Sequence, residues 1–355
     1  MSKTAVDSTT TLASEPKGRT GAARILLGRD AVMIYLLAAF LVFAAVSIPR
    51  FASPLTAGFL LLDVIPVLLI AMPMTLIIIT GEIDLSVASI AGLTSACMGV
   101  LWAGGMDIGL VLLLSLLVGT AAGVFNGFLI AVVGLPSLAV TIGTLALFRG
   151  LALVVIGDNA VANFPAQLTS FFTSKLGATG IPTVMVGVVA VVLFFGILLH
   201  FTPFGRGLYA MGFSQEAATF VGIDVARSKF WLYVASGLVS AMAGIFWTLR
   251  YSSARSDNAS GLELAVIAAV LLGGVSIFGG KGSVPGVIAG VLLIGTLNYA
   301  LRLGRVSDVV LITVTGLLLI VSVVAPSMGA AIRQWRHTRR VRRNFNHSAS
   351  PVASA

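Results

Sequence analysis

Apolar positions in this chain gather into long charge-free runs, and polar residues fall in short stretches between them. The runs cover 31–49, 64–81, 85–106, 108–148, 176–205, 230–249, 264–280, 282–301 and 309–332. A helix crosses a bilayer with about 20 predominantly apolar residues, so each run predicts a membrane span. The run 108–148 is long enough for two, divided at Gly134-Leu135-Pro136, with the second continuing past Arg149 to about Ile156. About ten transmembrane helices are expected, which makes the fold an all-α integral membrane protein.

Composition agrees. Of 355 residues only 10% are charged, and the mean hydropathy is +1.06. A water-soluble domain of this length carries far more charge on its surface. The formal charge of +9 resides mostly in the ends. Lys3, Lys17, Arg19, Arg24 and Arg29 precede the first run, against Asp7, Glu15 and Asp30. Arg333, Arg336, Arg339, Arg340, Arg342 and Arg343 follow the last run without an acid. Positive ends flanking the first and last spans mark cytoplasmic termini, which requires an even number of spans and removes the need for a nucleic-acid partner. The expected organisation is a polar cytoplasmic tail (1–30), a membrane domain (31–328) with a cytoplasmic loop at 202–228, and a basic cytoplasmic tail (329–355). The first span is read as an uncleaved helix rather than a signal peptide. Segment 157–181 then lies outside. Arg250, Arg255, Arg302 and Arg305 would face outward and fit the charge rule less well.

Catalytic chemistry has little to work with. Cys97 is the single cysteine, so no internal disulfide forms, and His200, His337 and His347 lack ligands at metal-binding spacing. No Ser-His-Asp arrangement is recognisable. The run GGVSIFGGKGSVPG at 273–286 is glycine-rich like a phosphate loop. Val275 stands where that motif needs glycine, and Gly282 follows Lys281 where it needs Ser or Thr. The chain is therefore expected to be neither an ATPase nor any other enzyme. Its 39 glycines, with alanines and serines at small-xxx-small spacing, are read mainly as close helix packing, the main source of association in lipid. Asp84 is read as a helix N-cap.

The segment SQEAATFVGIDVARSK at 214–229 is charged and lies between two apolar runs. Glu216-Ala217-Ala218, followed by Gly222, has the form of a short cytoplasmic helix: a carboxylate, two small residues and a helix-breaking glycine. It resembles the EAA coupling motif of ABC importer permeases. Four further stretches extend the resemblance. GEIDLSVASIAGL (81–93) is similar to the GGIDLS signature of the ribose-type branch of bacterial ABC sugar permeases, with Glu82 in place of the usual second glycine. TIGTLALFRGLALVV (141–155), TPFGRGLYAMG (202–212) and ELAVIAAVLLGGVSIFGGKGSVPGVIAG (263–290) match the same branch in order. The likeness covers about residues 35 to 328, and IAMPMTLIIITGEIDLS, VTIGTLALFRG and SARSD look most like the rhamnose and autoinducer-2 permeases.

This resemblance implies a permease subunit that moves a sugar-like solute and binds no cofactor itself, ATP being used by a partner ATPase. The implied partners are a second permease chain, alike or different, a cytoplasmic ABC ATPase, a periplasmic or lipid-anchored sugar-binding protein, and the lipid of a bacterial inner membrane. Glu216, Ala217, Ala218 and Gly222 become coupling residues, with Arg206 and Arg227 as supporting charges or simple positive-inside anchors. Gly81, Asp84, Ser86, Glu263, Gly273, Gly274 and Gly280 are the signature positions. Intramembrane polar residues are the suspects for the pathway, because lipid penalises them: Asn126, Thr141, Thr144, Arg149, Asn298 and Tyr299. Helix-packing hydrogen bonds are the plainer role for each, and snorkelling to the outer interface is the plainer role for Arg149. Two rival classes remain. An ion-coupled secondary transporter would want ion-binding groups in interrupted helices. A membrane enzyme acting on lipid-linked sugar would want clustered acids or histidines.

Overall fold

A computed structural model of the chain describes residues 29–307 and 309–324. The expected basic tail, 329–355, and all but residues 29 and 30 of the expected polar tail, 1–30, lie outside the described residues. Among those described, the regular elements are helices, and extended pairing is confined to isolated bridges at Val161–Ala254 and Lys175–Pro182. Helices follow from the solvent: lipid cannot satisfy backbone polar groups, so each span must bond its own.

In chain order the helices are α1 (Arg29–Ser47), α2 (Pro54–Ile79), α3 (Val87–Ala103), α4 (Ile108–Gly127, running into a π-turn at Phe128–Val132) and α5 (Ser137–Ile156). Then come α6 (Ala166–Thr173), α7 (Met185–Phe201), α8 (Pro203–Phe213), α9 (Gln215–Phe220), α10 (Val225–Tyr251), α11 (Leu262–Leu272) and α12 (Val284–Leu303). A last helix, α13, spans Val309–Val324. Five of these (α2, α4 with its π-turn, α5, α10 and α12) are long and apolar enough to cross a bilayer alone. The α7–α8 pair reaches that length as a unit bent by 69°, and α1, α3, α11 and α13 are shorter apolar helices. Ten spans are reached when the bent pair and all four short helices cross.

Three runs differ from their sequence reading. The second span begins at Pro54 rather than 64, because Ser53 Oγ caps the helix by accepting from Thr56 N at 3.2 Å and Pro54 pre-sets its first turn. That start takes Asp63 into the helix. The run 176–205 holds only a 3-10 turn at Gly177–Thr179 before its α-helix begins at Met185, and that helix breaks at Thr202, whose extended backbone and side-chain cap on Gly205 N start α8 in a new direction. The run 264–280 holds an 11-residue helix that stops at Gly273, after which Gly274 (φ 93°) turns the chain.

The centre of the bundle is α10, packed on α2, α3 and α4. Small residues let the axes approach. A Cβ added to Gly237 would sit 2.4 Å from Gly119 O and 2.7 Å from Gly123 Cα, so α4 and α10 touch backbone to backbone there. Nearly the whole length of α2 is buried, while one face each of α4, α5 and α7 exposes Leu, Val, Ile and Phe, as surfaces against lipid do.

Candidate functional site

Three segments far apart in sequence meet at one end of α2 and α10: the 80–86 turn, the 212–229 segment and the 279–283 turn. The first is released from α2 by Gly81, whose φ of 83° favours glycine. It then presents Glu82, whose carboxylate is ion-paired with Lys229 near the start of α10, each side chain only 13% exposed. Gln215 joins both: its Nε2 donates to Glu82 Oε1 at 3.2 Å, and its Oε1 accepts from Lys229 Nζ at 2.9 Å. Burial pushes the Glu82 carboxyl up, but the hydrogen bonds from Lys229, Ser137 and Gln215 and the Lys229 charge outweigh it and hold the group below its ordinary value.

The next residues tie that junction to the bundle. Tyr233 Oη donates to Ile83 O at 3.2 Å, and Ile83 N donates to Ser137 Oγ at 3.3 Å. Asp84 is buried, with hydroxyls and an amide for partners: Ser86 N at 3.0 Å, Ser86 Oγ at 2.6 Å and Ser236 Oγ at 2.7 Å. Ser86 Oγ in turn accepts from Asn126 Nδ2 at 2.8 Å. Asp84 was expected as an N-cap. The residue preceding α3 is instead Ser86, and the second Asp84 oxygen reaches across to α10.

The late signature closes the same end. Gly280 N donates to Ile79 O at 2.8 Å, and Tyr209 Oη donates to Gly282 O at 2.7 Å. Gly212 is wedged between them, so close that a Cβ there would lie 2.0 Å from Ile79 O and 2.2 Å from Gly280 N. Gly273 fits against the backbone of Gly286 and Val287. Glu263 lies elsewhere, in the first turn of α11.

The expected coupling residues form a short helix on this surface. Ser214 Oγ caps α9 by accepting from Ala217 N at 3.1 Å, and Gly222 (φ 86°) follows its end. Glu216, Ala217, Arg206 and Arg227 are exposed, whereas Ala218 is buried against the bundle. Sequence reasoning passed over the apolar part of the face. Phe220 is 89% exposed, Phe278 81% and Phe213 72%, with Val221 beside them, and the Phe213 ring packs over Gly280. Large exposed apolar side chains thus occur beside the exposed charges of the 206–227 segment, Arg206, Glu216 and Arg227.

The expected pathway residues divide into two groups. Asn126 and Thr141 bond to the 80–86 turn, Asn126 through Ser86 and Thr141 through Ile83 O at 3.3 Å, while Thr141 Oγ1 also donates to Ser137 O at 2.8 Å and Thr144 Oγ1 bonds within its own helix to Thr141 O at 3.5 Å. Arg149 does not snorkel outward. It points inward, where its Nη1 donates to Ser256 O at 2.7 Å and Asn258 O at 2.9 Å, pinning the 252–261 turn against α3. Asn298 and Tyr299 are far from this group. They line a cleft of about 170 Å³ between α2, α10 and α12, at the opposite end from Glu82. There Asp63 is ion-paired with Arg250 and lies 3.5 Å from Arg302. These two cations, which fitted the charge rule poorly, thus answer a carboxylate inside α2, and Arg255 pairs with Asp257 at 2.7 Å.

The family described as "Branched-chain amino acid transport system / permease component" matches residues 56–323. Among similar proteins, the autoinducer 2 import system permease protein LsrD of Photorhabdus luminescens is 35% identical over 290 residues, covering 78% of this chain and 86% of its own. The protein of the same name from Escherichia coli is 36% identical over 282 residues, covering 77% and 85%, and that from Salmonella typhimurium is 34% identical over 287 residues, covering 78% and 86%. No solved structure matches.

Proposed function

The chain belongs to the branched-chain amino acid transport system / permease component family, in its ribose-type branch close to the autoinducer-2 permeases, and from that premise we propose that it is the membrane subunit of an ATP-driven importer. It carries a monosaccharide or a sugar-like solute such as autoinducer-2 across the bacterial inner membrane, makes no chemical change in it, and takes its energy from a separate ATPase subunit. The name of the LsrD relatives supports the autoinducer-2 class; the family description names amino acids, and the sugar-type signatures weigh toward the former.

The observation that carries this reading is the junction of Glu82, Gln215 and Lys229 beneath the exposed Phe213–Phe220–Phe278 face. A motor docked on that face pushes α9 through Phe220, Glu216 and Ala217. Gln215 passes the displacement to Glu82 and Lys229, hence to the 80–86 turn and the start of α10. The turn is bonded to α10 through Tyr233 and Ser236 and to α4 through Asn126, so the bundle moves with it. In this arrangement the Glu82 end is cytoplasmic, both termini lie on that side, and the Asp63 end faces the solute-binding protein. A second permease chain completes the pathway.

The test is purification from the native membrane in mild detergent, identification of what accompanies the chain, and solute uptake in proteoliposomes with and without ATP. A co-purifying ABC ATPase and ATP-dependent uptake are expected. A chain that comes out alone and moves solute on an ion gradient would make it a secondary transporter instead.

A further inference from the structure

At the end opposite the coupling junction, the 170 Å³ cleft between α2, α10 and α12 has room for on the order of ten waters. Its walls are chemically uneven. Trp247 and Tyr251, one turn apart on α10, have ring centroids 5.5 Å apart and form an aromatic side with Tyr299 across from them. The Arg250 guanidinium lies 4.9 Å from the Tyr251 ring centroid and ion-pairs with Asp63, which holds both groups in place. Asp63 and Arg302 supply a fixed acceptor and a partly exposed donor. Asn298 adds an amide side chain to the same wall, with its Oδ1 buried and accepting no hydrogen bond from any described residue.

The geometry points to a binding site for a small neutral polyhydroxylated molecule in this cleft, an inference that rests on the importer reading above and names where its solute first meets the permease. Aromatic faces offer apolar surface to the C–H faces of such a molecule. The Asp63 carboxylate accepts from its hydroxyls, and the Asn298 amide NH2 and Arg302 donate to them. Few polar groups on a mostly apolar wall is the construction of a specific small-molecule site. A hydroxyl-binding wall also discriminates sharply, because a solute lacking the hydroxyl leaves buried polar atoms unpaired. The site is joined to the coupling junction by rigid elements: α2 carries Asp63 and leads to Glu82, and α10 carries Arg250 and Lys229.

Full-length protein in lipid nanodiscs, with tryptophan emission as the readout, tests the site. L-rhamnose and D-ribose serve as neutral probes and ribose 5-phosphate as the anionic one. Saturable change with the neutral probes is expected, and Trp247→Phe should remove it. Asn298→Leu, which disturbs no ion pair, should weaken both sugars about tenfold, the equivalent of one hydrogen bond to a hydroxyl. Asp63→Asn should weaken them further, and circular dichroism on the same sample separates loss of binding from loss of fold. Binding of ribose 5-phosphate alone would make the cleft an anion site and overturn the proposal. So would Asn298→Leu binding like the wild type, or no saturation with either sugar. ATP-dependent uptake by the assembled transporter separates the two readings. Wild-type uptake with unchanged KM in Asn298→Leu sinks the cleft alone, whereas uptake indifferent to ATP sinks the importer.

Discussion

Lys229, near the start of α10, is ion-paired with Glu82 on the turn that leaves α2. The same two helices are paired again by Arg250 and Asp63 at their other end. Residues 229 and 250 are 21 positions apart, so at 1.5 Å per residue the two pins are about 30 Å from each other. Two ion pairs so far apart oppose sliding of one helix past the other, and under the proposed function that is how a displacement applied at Glu82 is carried toward the Asp63 cleft.

Removing the charge at the coupling pin should therefore cost transport more than it costs folding. Glu82→Gln leaves Lys229 largely buried without its carboxylate, a situation that destabilises by several kcal/mol when burial is complete. We expect uptake to fall at least about tenfold, with the amount of protein in the membrane little changed. The exchange Glu82→Lys with Lys229→Glu restores the pair and should recover much of the loss. Uptake assays on vesicles matched for permease content decide it; a swap no better than either single change would show that the charges act separately.

The pH response follows from the same group. The Glu82 carboxyl is held below its ordinary value in the folded chain, so its contribution to stability is complete above the ordinary carboxylate range. It is lost only as pH falls through the lowered value. Thermal stability of the wild type and of Glu82→Gln should thus differ by a constant amount from neutral pH down to about 5 and converge in stronger acid. A gap that closed near pH 7 would contradict the pairing.

Much of the frame was readable because lipid leaves the chain so few choices: charge-free runs must become helices, and Gly134-Leu135-Pro136 had to interrupt the longest of them. The α9 helix was readable from its own residues, Glu216-Ala217-Ala218 for the body and Gly222 for the stop, whereas its Ser214 cap is a finding of the structure. What stayed hidden is pairing over distance. Gln215 and Glu82 are 133 positions apart, and nothing local announces their bond. Two signals were nonetheless present. Glu82 stood where related signatures carry glycine, and Asp63 broke an apolar pattern that continued on both sides of it; starting the span after Asp63 set aside the residue that organises the cleft. Arg149 was misjudged for the same reason, since its partners are carbonyls of a turn more than a hundred positions away.

Backbone contact at the junction predicts a severe effect from a single methyl group. Gly212→Ala places a Cβ 2.0 Å from Ile79 O and 2.2 Å from Gly280 N, and breaks the Gly280–Ile79 hydrogen bond or pushes α8 away. Overpacking of this kind costs about 1–3 kcal/mol. Gly143→Ala, with open space around its Cβ, serves as the control. The first should lower both the melting temperature and uptake, the second neither; equal behaviour of the two would mean that the 279–283 turn does not need to seat on α8.

Glu216 and Phe220 share the exposed surface of α9, and their positions dictate opposite kinds of interaction with a partner. Phe220 is 89% exposed, so truncating it removes nothing from the fold, yet a large aromatic at the centre of a docking patch is the residue type that carries association energy. Phe220→Ala should leave the permease intact in the membrane and cost about 2 kcal/mol of ATPase binding, roughly a thirtyfold loss of co-purified subunit under limiting conditions. Glu216 lies at the rim, where a charge guides docking rather than holding it, and reversal is more damaging than removal because it places like charges together. Glu216→Lys should abolish uptake with membrane levels preserved, and Glu216→Gln should reduce it only modestly. Quantitative pull-down of the ATPase and uptake on the same membranes read both effects. Normal transport by Glu216→Lys, or full ATPase recovery with Phe220→Ala, would place the motor on some other part of this face.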